Sequence, residues 1–253
     1  MARPKGPVKL SKKPVVVVLK EEDIERMRYE GGSDAELLVN EDVQVVTYPV
    51  VQPKGFMRDL DDRGLLRPGT VLVQSPYERD HYAPLVEAEQ SFAIAKRMYF
   101  SELCMKLGAK EVKVDQIAIR TRKGTSTFDV DASKGGIKFE GKRERESLEK
   151  ISSEMTLKDR FEGGQADIKA AEEMLRRTKL LGDPNMYSLF EMAKAENNKL
   201  QERTLTIDLT RESQDVIRLA ASLAIPAYVD INTKYKKNVN ETEQYTLTLT
   251  VKF

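Results

Sequence analysis

The chain has 253 residues, 40% hydrophobic and 33% charged, with 42 Lys and Arg against 41 Asp and Glu. That length suits one large domain or two closely packed lobes, and the near-neutral charge gives no global field to steer it toward nucleic acid or an acidic membrane. A single cysteine, Cys104, excludes an internal disulfide framework, and a single histidine, His81, excludes a multi-histidine metal site within the chain.

Residues 1–13 carry Arg3, Lys5, Lys9, Lys12 and Lys13 without an acid, and read as a flexible basic arm. No apolar region of about 7–15 residues follows it, as a signal peptide would require. No apolar run approaches the roughly 20 residues that span a bilayer. A soluble cytoplasmic protein is expected.

Residues 14–141 read as an N-terminal α/β lobe. Val15 to Leu19 is a continuous apolar run, the pattern of a strand buried on both faces. Glu21 to Tyr29 predicts a short charged helix ended by Gly31-Gly32. Leu37–Val39, Val43–Tyr48 and Thr70–Gln74 predict short strands, while Phe56–Leu66 has no clear period. Ser75 to Ala83 is a polar loop holding Tyr77, His81 and Tyr82. Pro84 then opens the longest helix, with Leu85, Ala88, Phe92, Ala95, Tyr99, Leu103 and Leu107 on one stripe and Gly108 at its end. Val112 and Val114 are out of phase with Ile117 and Ile119, which predicts a strand bulged at Asp115-Gln116. Phe128–Ala132 and Ile137–Phe139 read as two more strands around Gly135-Gly136.

Residues 142–202 read as a charge-balanced helical block. Its first helix has only a thin apolar seam, Leu148, Ile151 and Met155. Asp167–Leu181 forms a second helix. Gly182 ends it, Asp183 is a favourable N-cap and Pro184 a favourable first residue for the next, giving an antiparallel helical hairpin.

Residues 203–253 read as a β-α-β-β segment packing on the same core. Leu205, Ile207 and Leu209 alternate with polar neighbours, as do Tyr245, Leu247, Leu249, Val251 and Phe253. Between them stand a helix over Arg211–Leu223 and a strand carrying Val229, Ile231, Thr233 and Tyr235. The expected class is α+β, a mixed and mainly antiparallel sheet with packed helices and a charged helical arm or lobe.

The chain has no GxxxxGK[ST] phosphate loop, no GxGxxG and no GxSxG elbow. Cys104, inside the apolar helix, reads as a buried structural thiol. One constellation carries chemistry. Asp129 and Asp131 precede Ile137–Phe139, which runs into Glu140-Gly141-Lys142. Hard carboxylates suit Mg²⁺, and a strand brings Glu140 and Lys142 to one face. This Asp…Glu-x-Lys order resembles that of restriction-endonuclease-like nucleases, and the resemblance covers Glu87 to Lys142 at most. It implies Asp129, Asp131 and Glu140 as Mg²⁺ ligands, with Glu87 or Glu102 adding one, and Lys142 polarising the attacking water or the scissile phosphate. Gly141 departs from the apolar residue usual at that position.

Two further patterns bear on partners. Arg120, Arg122, Lys123, Lys142 and Arg143, with Lys234, Lys236 and Lys237, would form a basic patch for phosphates if their hairpins adjoin. Ile117–Phe139 and Ala227–Phe253 are amphipathic hairpins of the kind pore-forming proteins insert into bilayers, although Arg120, Arg122, Lys123 and Asp230 fit lipid poorly. The leading expectation is a non-enzymatic binding or assembly protein with no cofactor. It would associate with a protein partner or with itself as a homo-oligomer, through Leu148, Ile151 and Met155. The alternatives are a metal-dependent nuclease or nucleic-acid-binding protein using Asp129, Glu140 and Lys142, and a membrane-active pore former.

Overall fold

Strand β1, Val15–Lys20, lies at the centre of a four-stranded sheet, and its first five residues are inaccessible to solvent. Its unbroken apolar run has a direct cause, because the sheet is covered on both faces. Val15, Val17 and Leu19 enter the main core, while Val16 and Val18 enter a smaller one with Phe56, Met57 and Leu60. The computed structural model describes residues 12–121, 124–129, 158–195, 199–226, 229 and 244–253.

Helices α1 (Glu21–Glu30) and α2 (Gly32–Val39) cross over to β2 (Val43–Tyr48), which runs parallel to β1. Leu37–Val39, expected as a strand, is therefore the last turn of α2. Three apolar residues are too short a run to reveal a period, and here Leu37 is buried while Val39 is 79% exposed. Helix α3 (Phe56–Asp62) occupies the stretch that showed no period, and it covers the second face of the sheet with Phe56, Met57 and Leu60. Strands β3 (Val71–Gln74) and β4 (Tyr82–Pro84) complete the order β2-β1-β3-β4. The loop read as polar contains two buried tyrosines, Tyr77 and Tyr82. Pro84 closes β4, and helix α4 (Leu85–Lys106) begins one residue later.

Helix α4 ends in a Schellman motif, with Gly108 N donating to Met105 O at 3.0 Å and Ala109 N to Cys104 O at 2.9 Å. The chain then enters a second, antiparallel sheet. Strand β5 (Glu111–Thr121) pairs on one side with β6 (Gly124–Asp129) and with the two-residue β7 (Asp159–Arg160). Helices α5 (Ile168–Arg177) and α6 (Pro184–Ala193) follow, joined through a 3₁₀ turn at Leu180–Gly182. Strand β8 (Glu202–Asp208), helix α7 (Gln214–Ser222) and strand β9 (Gln244–Lys252) complete the order β6-β5-β9-β8. The register slips between Val114 and Gln116, as the phase change in the sequence predicts. The extra residue, Asp115, accepts a hydrogen bond from Thr250 Oγ1 at 2.6 Å.

The antiparallel sheet has one dry and one wet face. Leu205, Ile207, Leu247, Leu249 and Val251 point inward and are buried. Full burial of one such side chain is worth about 1.5–3 kcal/mol. On the other face Thr204 pairs with Thr250 at 3.0 Å and Thr206 with Thr248 at 3.1 Å. The main core takes residues from both sheets and from α4, α5, α6 and α7. The fold is α+β, with a mixed sheet and an antiparallel sheet joined through one core. Tyr99, on the apolar stripe of α4, and Leu219, on α7, are only partly buried. Of the strand expected at Val229–Tyr235, Val229 is buried in a bend, and residues 230–243 lie outside the described residues.

Candidate functional site: a buried ion cluster and a charged cleft

Two groups of charges stand out. The first is inside the protein. Lys96, on α4, is inaccessible to solvent, and its ammonium has three N–H donors. Each has an acceptor: Asp183 Oδ2 at 2.7 Å, Glu212 Oε2 at 2.7 Å and the Asp208 carbonyl at 2.6 Å. Asp183 is the N-cap of α6, and its other oxygen accepts from Asn185 N at 3.0 Å and Met186 N at 2.9 Å. Asp208 ends β8, and its Oδ1 accepts from Thr210 N at 2.9 Å and Arg211 N at 3.1 Å, which folds the turn that carries Glu212. The Tyr77 hydroxyl donates to Glu212 Oε2 at 3.5 Å. Burial, and then Glu212, push the Tyr77 phenol far above its ordinary range, so it stays a donor.

The next residue on α4, Arg97, is also buried, and its Nη2 lies 2.8 Å from Asp159 Oδ2 in β7. Ser101 Oγ bonds the same carboxylate. Cys104, one turn on, is buried among these groups; burial first and Asp159 second push its thiol up, which keeps it protonated and unreactive. These contacts bind α4 to β7, β8 and α6.

The second group lies at the end of the antiparallel sheet. The registers place Glu202, Lys252, Glu111 and Arg160 in one row across β8, β9, β5 and β7, a row of alternating sign. Glu111 lies 2.8 Å from Lys158, 3.8 Å from Lys252 and 3.8 Å from Arg160. The hydrogen bond from Lys158 leads the causes that hold its carboxyl below the usual carboxylate range. Beyond the row opens a cleft of about 840 Å³. Leu107, Phe161, Leu200 and Phe253 line it and pack on the main core, so the apolar floor is continuous with the interior. Lys110 and Lys199 stand at its edge. Lys110 Nζ donates to the Phe253 carbonyl at 3.0 Å, and among the described residues Lys199 has no ion-pair partner.

Glycines shape this cleft. Gly108, at φ +82°, crosses the loop of residues 161–166 so closely that a Cβ would sit 2.4 Å from the Gly164 carbonyl oxygen. Two backbone bonds hold the crossing, Phe161 N to Lys110 O at 2.9 Å and Asp167 N to Lys106 O at 2.8 Å.

The site residues expected from sequence are mostly elsewhere. Asp129 is the last residue of β6, opposite Gln116. Asp131, Glu140 and Lys142 lie outside the described residues, so the nuclease set is not assembled among those described. Glu87 is exposed in the first turn of α4, and Glu102 pairs with Arg177 at 3.5 Å and Lys106 at 3.6 Å. Arg120 is exposed on β5. Arg122, Lys123, Arg143, Lys234, Lys236 and Lys237 lie outside the described residues, as do Leu148, Ile151 and Met155. His81 is half-buried, and desolvation, then Arg63, lower its pKa. Among the described residues no three His, Cys, Asp or Glu side chains gather into a metal cage, and no helix is long and apolar enough to cross a membrane.

Sequence reasoning missed Lys96, Lys110, Phe161, Lys199 and Phe253. Two signals were present: a Lys96-Arg97 pair inside an apolar stripe, and the doubled Gly163-Gly164 in a charged stretch. No family model, curated protein or solved structure matches this chain.

Proposed function

We propose that this chain is a non-enzymatic binding protein that works by association, with the cleft at the end of the antiparallel sheet as its recognition surface. One observation carries the reading: the cleft of about 840 Å³ combines an apolar floor with a charged rim. Sites for small molecules fall in the range of roughly 300–1,000 Å³. The interior charges support it as well. All three N–H groups of Lys96 are engaged by protein acceptors, an arrangement that fastens helices and strands together. Self-association through Leu148, Ile151 and Met155 belongs to the same reading.

A neutral apolar fluorophore, N-phenyl-1-naphthylamine, tests the cleft. It should bind the wild type and lose binding in Ala195→Trp, which fills the cleft wall from an exposed position. Equal binding by both proteins would remove the cleft as the recognition surface. Light scattering across a concentration series tests self-association against the chain mass of 28.7 kDa, and Leu148→Asp with Ile151→Asp should dissociate any oligomer. Incubation with DNA and RNA plus Mg²⁺ or Mn²⁺ should give no cleavage. Cleavage that disappears in Glu140→Ala would replace this reading with the nuclease.

A further inference from the structure

We infer that the cleft takes a small amphiphile with one anionic head and a short apolar tail, a medium-chain carboxylate being the simplest member of the class; this rests on the cleft reading above. The argument starts from charge. The row Glu202, Lys252, Glu111 and Arg160 holds two acids and two bases, so it is neutral by itself. Lys110 and Lys199 are additional, and Lys158 adds a third cation to Glu111. The residues lining the cleft therefore count four cations, Lys110, Arg160, Lys199 and Lys252, against two acids, Glu111 and Glu202. A monoanion at Lys110 and Lys199 lowers that surplus through charge-assisted hydrogen bonds, which are about twice as strong as neutral ones.

The tail follows from the floor. Phe161, Leu200 and Phe253 are partly buried, so each presents some apolar surface toward the cleft while resting on the core. Covering that surface removes it from water, the main driving force for an apolar tail. The floor is held in advance. The Gly108 crossing and the bond from Phe161 N to Lys110 O couple the apolar wall to the backbone of the residue that carries the cation. Head and tail positions are thereby set before binding, which lowers the ordering cost. The open cleft of about 840 Å³ lies within the size range of small-molecule sites.

The test uses the full chain with N-phenyl-1-naphthylamine as reporter, displaced in turn by decanoate, decanol and decyltrimethylammonium. Decanoate should displace it at concentrations about tenfold lower than decanol, the ratio expected for one charge-assisted contact. Decyltrimethylammonium should be the weakest. In Lys110→Gln with Lys199→Gln the reporter should still bind, and decanoate should lose its advantage. The preference should also shrink in 0.5 M salt. Decanol matching decanoate in the wild type would overturn the anionic-head inference while leaving the cleft as a binding site. Failure of the reporter to bind the wild type, or binding unaffected by Ala195→Trp, would overturn the cleft reading itself. Displacement by an acidic leucine-rich peptide but not by decanoate would assign the cleft to a protein partner and overturn the small-molecule class. Circular dichroism and melting temperature on each variant separate these outcomes from unfolding.

Discussion

The Lys96 cluster and the Glu111 row are built from the same residue types and do opposite things. Lys96 is fully buried, and two carboxylates and a carbonyl surround it at 2.6–2.7 Å. Glu111 sits at the sheet end with 19% of its side chain exposed, and three cations approach it at 2.8–3.8 Å. Inside, a charge is stable only when its partners are complete, because desolvation is costly and an unpaired partner cannot turn to water. At the rim, water screens each pair, so a surplus of one sign is tolerated and remains available to a ligand. Completeness marks the structural charges, and surplus marks the candidate binding charges.

The largest expected effect comes from breaking the complete set. Lys96→Met keeps most of the volume and removes the charge, leaving the buried Asp183 and the partly exposed Glu212 without their shared cation. A loss of about 3–5 kcal/mol is expected in urea unfolding. Adding Glu212→Gln to that variant should recover part of the loss, as coupled sites do. A Lys96→Met protein within about 1 kcal/mol of wild type would show that the cluster does not hold these elements together.

Gly108→Ala should come next. Its φ of +82° and the 2.4 Å approach of a Cβ to the Gly164 carbonyl force either strain or separation of the two loops. A loss of more than about 1 kcal/mol is expected, with weaker reporter binding in the cleft because its floor shifts. Unchanged stability and unchanged binding would mean that the loop crossing does not shape the site.

Arg160→Gln at the rim should change stability by less than about 1 kcal/mol, and 0.5 M salt should erase the difference. The Lys96→Met loss should persist in the same salt, since buried pairs are little screened. If both variants respond to salt alike, the distinction between interior and rim fails.

The smallest effect is on pH dependence. His81 has a lowered pKa in the folded protein, so the unfolded chain binds its proton more readily. Its contribution is full above its ordinary value of 6.5 and is lost as pH falls from there through the folded value. Glu111, also lowered, acts in the same direction below its ordinary value of 4.5. Melting temperatures between pH 7 and pH 5 should therefore fall less in His81→Gln than in wild type, whereas Glu111→Gln should flatten the curve only at lower pH. Parallel curves for His81→Gln and wild type over pH 5–7 would remove His81 from this account.

Much of the fold was legible because local rules decide it. Alternation along β9 and β8 identified the dry face, since a strand's side chains switch sides at every residue. The phase change at Asp115 located the bulge, and Asp183-Pro184 located the start of α6, because a cap and a first-turn proline act within one turn of chain. The continuous run in β1 revealed a strand covered on both sides. Local rules failed for Leu37–Val39 and for Phe56–Asp62, where too few apolar residues were present to show a period.

The site was not legible for a different reason. Lys96 meets Asp183, Asp208 and Glu212, residues more than eighty positions away, and nothing local to Lys96-Arg97 says which acids will complete it. The row Glu202, Lys252, Glu111 and Arg160 exists only because four separate strands end at one level. The sequence by itself determined the elements, their buried faces and their caps, since these depend on side-chain spacing within a few residues. Which charges became complete in the interior and which were left in surplus beside an apolar floor was decided only by the tertiary structure, because Coulomb energy and desolvation depend on distances in space and not on separation along the chain.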